Sequence, residues 1–349
     1  MKKFKVAVIG CGCISVMHFA SILMTEECEL VACCDIKEER ARANAEKYGI
    51  RYYTDYKEML ATEELDAVHL CLPHFIHSEV AIYAMEQGVS VLTEKPMDTS
   101  FEAAERAVRR SEELGVQFGV ISQCRYHDSS RFVKEAVSSG KLGKIISASS
   151  SLTWVRYDNY YANSDWKGTW DKEGGGVVIN QAIHTLDLVR WIVDSEVESL
   201  SVTMSNRAHP SVEVEDSAEG LITFKNGTRY GFWCMNNYGC NEPIDIRLHC
   251  ERGDVRFGYN DAYITYSDGT KEEAHNIEEE GCCGLGKDYW GIKHVRQIRQ
   301  FYLALAGREP LELSGREALK THEMIMSIYD SAGMKSAFLN KLKKSKSSK

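Results

Sequence analysis

The 349-residue chain contains no run of about 18 or more apolar residues, so no segment reads as a membrane-spanning helix. Its opening, MKKFKVAVIGCG, sets lysines before an apolar run as a secretion signal does, but the run is short and breaks at Gly10. That suits a buried first strand better than a signal, and the expected location is cytoplasmic. A basic stripe is missing too. The formal charge is −9, and the one cationic run is the tail KLKKSKSSK at 341–349, expected to be a frayed, solvated end. An acidic chain without a basic, aromatic-studded groove is a poor candidate for binding nucleic acid, so the expected partner is a small molecule. The 12 cysteines include no Cys-x-x-Cys spacing; the close pairs are Cys11/Cys13, Cys33/Cys34 and Cys282/Cys283. Adjacent strand cysteines point to opposite faces and make poor joint zinc ligands, so no metal centre is expected. Reduced thiols acting as small hydrophobes are the expected state. Internal repeats and low-complexity linkers are likewise lacking.

What is present is an ordinary globular composition, 44% hydrophobic and 27% charged, in a chain long enough for two cores. Apolar, β-branched runs at 4–9, 29–34, 67–72, 89–93 and 116–121 alternate with helical patterns at 15–25, 37–48, 76–87 and 100–114. Such alternation predicts a doubly wound parallel sheet with helices on both faces. The second half has longer β-rich segments at 144–157, 197–208, 216–225, 228–236 and 244–252. Asn226-Gly227 predicts a tight hairpin in which both residues take positive φ. With helices expected at 130–139, 177–193, 290–306 and 315–338, this half predicts an open, mostly antiparallel sheet flanked by helices. The expected organisation is a dinucleotide domain over 1–123, an α+β domain over 124–340 and the tail.

Directly after the first strand stands GCGCIS at 10–15. Gly10 and Gly12 permit a tight turn and close approach of a pyrophosphate to the following helix N-terminus, and Ser15 is small enough for helix–strand packing. Asp35 closes the second strand, where a carboxylate can accept hydrogen bonds from ribose hydroxyls and would repel a 2′-phosphate. NAD is therefore favoured over NADP, with Lys37 and Arg40 nearby. Alone, a Gly-x-Gly turn is a weak signal; its place between a strand and a helix strengthens it.

In GVVINQAIHTLDLVRWI (176–192), Asn180, His184 and Asp187 recur at spacings of four and three, stacking along one face of a helix beside Ile179, Ile183 and Leu186. A lone helical histidine is more often a satisfied core residue, so other motifs must decide its role. Those motifs are CLPHFIHSEVAIYAMEQG (71–88), EKPMD (94–98) and GGGVVINQAIHTLD (174–187). Together they resemble the glucose–fructose oxidoreductase/inositol dehydrogenase (Gfo/Idh/MocA) family, over nearly the whole chain from Val6 to about Gly333.

The resemblance implies a Rossmann domain joined to a large open sheet that carries substrate and drives oligomerisation, as a homodimer or homotetramer. It implies NAD(P)-dependent chemistry on a secondary hydroxyl of a sugar, sugar derivative or cyclitol. It makes Lys95 the active-site lysine, Lys95–Pro96 a cis peptide bond and His184 the general acid/base. Asn180 stands where many members have aspartate, which removes one candidate proton carrier and a possible charge partner of Lys95. Asp187 can hold the imidazole or simply pair with a neighbour. The candidate cofactor residues are Gly10, Gly12, Cys13, Ile14, Asp35, Ile36, Leu72, Pro73, His74, His77, Glu94, Lys95, Gln123, Trp166 and Lys167. The candidate substrate residues are Lys95, Arg125, Arg156, Trp166, Asn180, His184 and His294.

Several of these have plain alternatives. His77 is expected to brace the loop beside the cofactor, and His18 to serve packing. Gln123 and Arg125 can reach nicotinamide or substrate, or only tie the domain junction. The aromatic stretch 154–176 offers stacking faces for sugar C–H surfaces, with Arg156 and Lys167 as donors, or merely covers a sheet edge. His294 is read as lining the same pocket from the opposite side. Two rival functions stand beside the dehydrogenase: an NAD-recycling enzyme that cleaves or rearranges a glycoside through a transient keto sugar, and a non-catalytic NAD-binding sensor.

Overall fold

A computed structural model of the chain describes residues 3–277 and 293–336. The tail at 341–349 and the Cys282/Cys283 pair lie outside the described residues, as does the start of the helix expected from 290.

Strands β1 (Phe4–Ile9), β2 (Cys28–Cys34), β3 (Arg51–Tyr53), β4 (Ala67–Leu70), β5 (Ser90–Thr93) and β6 (Phe118–Val120) form a parallel sheet in the order β3-β2-β1-β4-β5-β6. Val6, Ala7, Val8 and Ile9 are all buried, as in a strand covered on both faces, and this explains why β1 reads as a continuous apolar run. The connecting helices are α1 (Ser15–Leu23), α2 (Glu38–Tyr48), α3 (Tyr56–Thr62), α4 (His77–Glu86) and α5 (Phe101–Leu114). Ser100 caps α5 by accepting from Ala103 N, and Gly115 closes it at φ 64°. Neither β3 nor α3 was expected. β3 is three residues long and mostly exposed, and α3 is only seven, so neither shows a period. The strand order reverses between β1 and β4, which opens the crevice at their carboxyl ends where a doubly wound sheet binds its ligand.

The second sheet has β7 (Ile145–Thr153), β8 (Val197–Ser205), β9 (Ser217–Phe224), β10 (Arg229–Met235), β11 (Asp245–Cys250), β12 (Gly253–Phe257), β13 (Asp261–Tyr266) and β14 (Lys271–His275) in the order β14-β13-β12-β11-β7-β10-β9-β8. Only β7 and β10 pair in parallel. Around it lie α6 (Asp128–Ser138), α7 (Asp158–Ala162) and α8 (Ile183–Val193). The open, mostly antiparallel sheet is as expected from sequence; β12 to β14 extend it beyond the segments foreseen.

Two local expectations are corrected. At the β9–β10 hairpin only Gly227 takes positive φ (88°), with Gly227 N donating to Phe224 O and Phe224 N to Thr228 O. This is a three-residue loop closed by a glycine bulge, which needs one left-handed residue rather than two. The helix expected over 177–193 is not uniform: Val178–Ala182 is a π turn and the α-helix begins at Ile183. Side chains take its first amide hydrogens, since Gly176 N and Val178 N donate to Glu215 and Ile179 N to the Tyr329 hydroxyl.

Helix α9 (His294–Leu305) packs on α1, its Ile298, Phe301 and Tyr302 sharing a cluster with Phe19 and Ile22. Helix α10 (Gly315–Ala332) follows. By internal contacts the described chain divides into one unit of 3–126 with 293–319 and another of 127–277 with 320–336. Residues 293–319 thus group with the parallel sheet, whereas a single boundary at 123 assigns them to the second half. No helix among the described residues is long and apolar enough to cross a membrane. The ten described cysteines are free thiols, eight of them buried.

Candidate functional site

In the first unit the chain turns sharply after β1. Gly10 holds φ 95°, and a Cβ there would lie 2.2 Å from the Cys71 carbonyl oxygen and 3.3 Å from Leu72. A Cβ on Gly12 would meet nothing within 4 Å, so the protein's own packing does not require glycine there. That open surface lies at the start of α1 beside exposed Cys13 and half-buried Ile14, and a helix N-terminus is a place where an anion can be received. Asp35 braces this turn: its two oxygens accept from Cys11 N and Lys37 N, both at 2.8 Å. Ile36 beside it is 88% exposed. Two buried polar side-chain atoms further along lack a hydrogen-bond partner of good geometry, Nε2 of His77 and Oε1 of Gln123.

The segment that carries Lys95 is pinned residue by residue. Lys95 N donates to Glu94 Oε2 at 3.2 Å, and the Lys95–Pro96 bond is cis. His77 Nδ1–H donates to Pro96 O at 2.7 Å and Ser78 Oγ to Met97 O at 3.2 Å, so His77 does brace this loop. His74 is buried in the short turn after Pro73. Arg125, 4% exposed, pairs with Glu317 at 3.0 Å.

Beneath Glu94 lies a buried polar chain that the sequence reading missed. His18 Nε2 and His294 Nε2 each stand 3.1 Å from Glu94 Oε1. Burial opposes ionisation of Glu94, yet hydrogen bonds from these two imidazoles hold its pKa well below the usual carboxylate range. An ionised carboxylate only accepts, so both Nε2 atoms carry hydrogen. Burial pushes the His18 pKa down and favours the neutral ring, whose Nδ1 then accepts from His69 Nδ1–H at 2.9 Å. His69 Nε2 in turn accepts from the Tyr302 hydroxyl at 2.8 Å. One set of tautomers satisfies the whole chain. His294, read from sequence as lining a substrate pocket, is here 1% exposed against Glu94.

In the second unit the aromatic stretch forms a box around Tyr160. The Lys167 ammonium lies 3.6 Å from the Tyr160 ring centroid and 5.6 Å from that of Trp166. The Arg156 guanidinium stands 5.1 Å from Trp154 and 5.5 Å from Tyr160. Asn180 Nδ2 donates to the Tyr160 hydroxyl at 3.2 Å and to Glu173 Oε1 at 2.6 Å. His184, 9% exposed, stands in the first turn of α8. Asp187, a turn later, accepts from Thr321 Oγ1 at 2.6 Å, so it serves at least the neighbour-pairing role.

Two buried carboxylates here escaped the sequence reading. Burial, opposed by hydrogen bonds from Gly168 N and Asn180 and by the Lys167 charge, pushes Glu173 up to about 7. Glu215, fully buried, is likewise raised to about 7, with Tyr329, Val178 N and Gly176 N opposing. A folded pKa raised above its unfolded value means that the native state holds the proton more tightly. The stability it contributes is complete below about 4.5 and is lost as pH rises to about 7, on the order of 3 kcal/mol for a shift of this size. The melting temperature is therefore expected to fall between those pH values, and Glu215→Gln to flatten the fall. Parallel melting curves for the two proteins against pH check this. The signal available in sequence was faint: Glu173 abuts Gly174-Gly175-Gly176, and Glu215 precedes a strand, but nothing local marks either as buried.

Residues 4–122 match the GFO/IDH/MocA model described as "Oxidoreductase family, NAD-binding Rossmann fold", and residues 130–256 match "GFO/IDH/MocA C-terminal domain". Inositol 2-dehydrogenase of Rubrobacter xylanophilus is 30% identical over 73% of this chain and 71% of its own. D-glucoside 3-dehydrogenase of Escherichia coli is 30% identical over 94% of this chain and 95% of its own. The solved structure of the WlbA dehydrogenase from Bordetella pertussis, in complex with NADH and UDP-GlcNAcA, is 29% identical. It covers 95% of this chain and 97% of its own, with a TM-score of 0.82.

Proposed function

The chain belongs to the GFO/IDH/MocA oxidoreductase family, and from that premise we propose that it transfers a hydride between NAD and a secondary ring hydroxyl of a sugar, sugar derivative or cyclitol. The observation that carries this reading is the end-to-end likeness to sugar dehydrogenases. Position 2 of inositol and position 3 of a glucoside both bear secondary hydroxyls, and the nucleotide-sugar acid seen with WlbA is also a pyranoside.

In this reading NAD, when bound, supplies the hydride acceptor. Gly10 and Gly12 let the backbone meet its pyrophosphate, and Asp35 accepts from the ribose hydroxyls with the lone pairs left after bracing Cys11 N and Lys37 N. The same carboxylate repels a 2′-phosphate, which favours NAD over NADP. The substrate C–H bond breaks with its electron pair, the hydroxyl proton passes to His184 and the carbon–oxygen double bond forms. The Lys95 ammonium stabilises the developing alkoxide. Asn180 orients the hydroxyl, and the box of Arg156, Trp166 and Lys167 receives the sugar face and any acidic substituent.

Self-association through the exposed face of the second sheet belongs to the same reading. Leu221, Gly231, Ser149, Arg247, Arg256 and Tyr263 form one row across five of its pairings, with Leu221 48% and Tyr263 45% exposed. Such a face suits a homodimer or homotetramer.

A panel of inositols, alkyl glucosides, uronates and UDP-linked N-acetylhexosaminuronates, run with NAD and with NADP, tests the function. NADH formation from one class is the expected result. Glycoside consumption without net NADH would shift the reading to transient oxidation followed by elimination, and no turnover of any kind would leave only a binding protein.

A further inference from the structure

Two neighbouring glycines precede the helix that carries Asn180 and His184, and packing demands each of them. A Cβ on Gly175 would lie 2.0 Å from the Tyr329 hydroxyl oxygen, and one on Gly176 would lie 1.8 Å from the Glu215 carbonyl oxygen. The missing side chains admit a fully buried carboxyl group and a tyrosine hydroxyl against the backbone. Glu215 accepts from Gly176 N at 2.9 Å through both carboxylate oxygens, and from Val178 N at 3.0 Å through Oε1. Its backbone carbonyl takes Val177 N at 3.2 Å. Tyr329 completes the set, donating to Glu215 Oε1 at 2.7 Å and accepting from Ile179 N at 3.1 Å. Two residues from distant segments thus hold four successive amides, 176 to 179.

That clamp fixes the front of the helix. The rear is fixed independently, because Ile183, Leu186, Leu188, Val189 and Ile192 of α8 are all buried. Each residue of an α-helix turns the chain by about 100°, so two ends fixed separately need not stand a whole number of such steps apart. The π turn Val178–Ala182 lies between them and absorbs the mismatch by winding one extra residue into its turn. Asn180 lies inside that turn and His184 just beyond it. The turn therefore sets the angle at which the two side chains stand to one another.

We propose that Glu215 and Tyr329 are positioning residues of the catalytic site: by clamping amides 176–179 they maintain the π turn, and the turn aims Asn180 and His184 at one substrate hydroxyl. This rests on the reading that those two side chains act on the reacting hydroxyl. With the clamp released, the segment rewinds toward an α-helix, and Asn180 swings about the helix axis relative to His184 by part of one step of about 100°. Glu215 is fully buried and Tyr329 is 5% exposed, so both act through the helix backbone. Their effect is on alignment, which falls on the chemical step.

Tyr329→Phe is the sharpest test. It keeps the ring against Trp170, 5.8 Å away between centroids, and removes only the oxygen that takes Ile179 N and donates to Glu215. With the panel substrate that reduces NAD, kcat is expected to fall roughly ten- to a hundred-fold, with KM and NAD affinity little changed. Glu215→Leu should act in the same direction. Glu215→Gln keeps an acceptor oxygen for Val178 N and the Tyr329 hydroxyl, and should lose far less. Assays well below each melting temperature keep unfolding out of the comparison. A loss that merely follows the fraction folded, with kcat per folded molecule unchanged, is what a purely structural role gives and overturns the proposal.

A second readout needs no substrate. Crystal structures should show the π turn in wild type and α-type hydrogen bonds running through 178–182 in Tyr329→Phe. A π turn that survives unchanged in both Tyr329→Phe and Glu215→Leu overturns the proposal, and so does a rewound turn with wild-type kcat. If Glu215→Leu does not fold, Glu215→Gln combined with Tyr329→Phe takes its place. If the turn rewinds but no panel member reduces NAD, the functional reading fails while the clamp stands.

Discussion

Lys95→Met and His184→Ala are each expected to lower turnover by about 10²–10⁴-fold while NAD still binds. The ammonium is placed by a segment with little freedom: Glu94 accepts from Lys95 N, His77 donates to Pro96 O and Ser78 to Met97 O. Methionine keeps the length and packing of the stem and removes only the charge, so the loss reports alkoxide stabilisation. On the proposed mechanism, losing the imidazole removes the proton acceptor, and the deficit should fall on kcat more than on KM. Initial rates of NADH formation with the panel substrate, beside NAD titrations followed by tryptophan fluorescence, distinguish the cases. Full activity in either variant removes that residue from the mechanism. If NAD binding is lost in Lys95→Met, the lysine belongs to cofactor binding instead.

Gly10→Ala should be the most damaging single methyl group in the first unit. It forces alanine to φ 95° and drives its Cβ to 2.2 Å from the Cys71 carbonyl oxygen, which is backbone and cannot swing aside. Strain and overpacking together predict a loss of roughly 2–6 kcal/mol. Gly12→Ala is the contrast, since its Cβ meets nothing within 4 Å and its φ is not positive. That variant should melt with wild type yet bind NAD at least about tenfold more weakly, because the methyl fills space needed by the pyrophosphate. Thermal melts with and without NAD separate the two effects. Equal stability of both variants would show that the turn tolerates a side chain and that glycine at position 10 is not structural.

Buried parallel strands were legible because β1, β2, β4 and β5 are mostly apolar and carry β-branched residues, and glycine or a change of period marks the ends of the runs. The turn at Gly10 was legible for the same reason, as a local conformational demand met by a local residue type. What escaped was short, exposed or long-range. The three residues of β3 carry no pattern, and the π turn at Val178–Ala182 follows from Glu215 and Tyr329 taking amide hydrogens of the helix start. His294 shows the limit most plainly. From sequence it was read as lining the pocket from the opposite side, yet its ring nitrogen meets Glu94, 200 residues away.

By itself the sequence determined the class of the two sheets, the glycine turn after β1 and the family to which the chain belongs, because periodicity and contiguous motifs are properties of neighbouring residues. It also supplied Lys95, Asn180 and His184 as chemical groups. Only the tertiary structure decided their surroundings: that Glu173 stands behind Asn180, that Glu215 caps the helix start, and that a chain of imidazoles anchors Glu94. Charge and tautomer depend on burial and on partners brought together from distant segments, and neither quantity exists until the chain has folded.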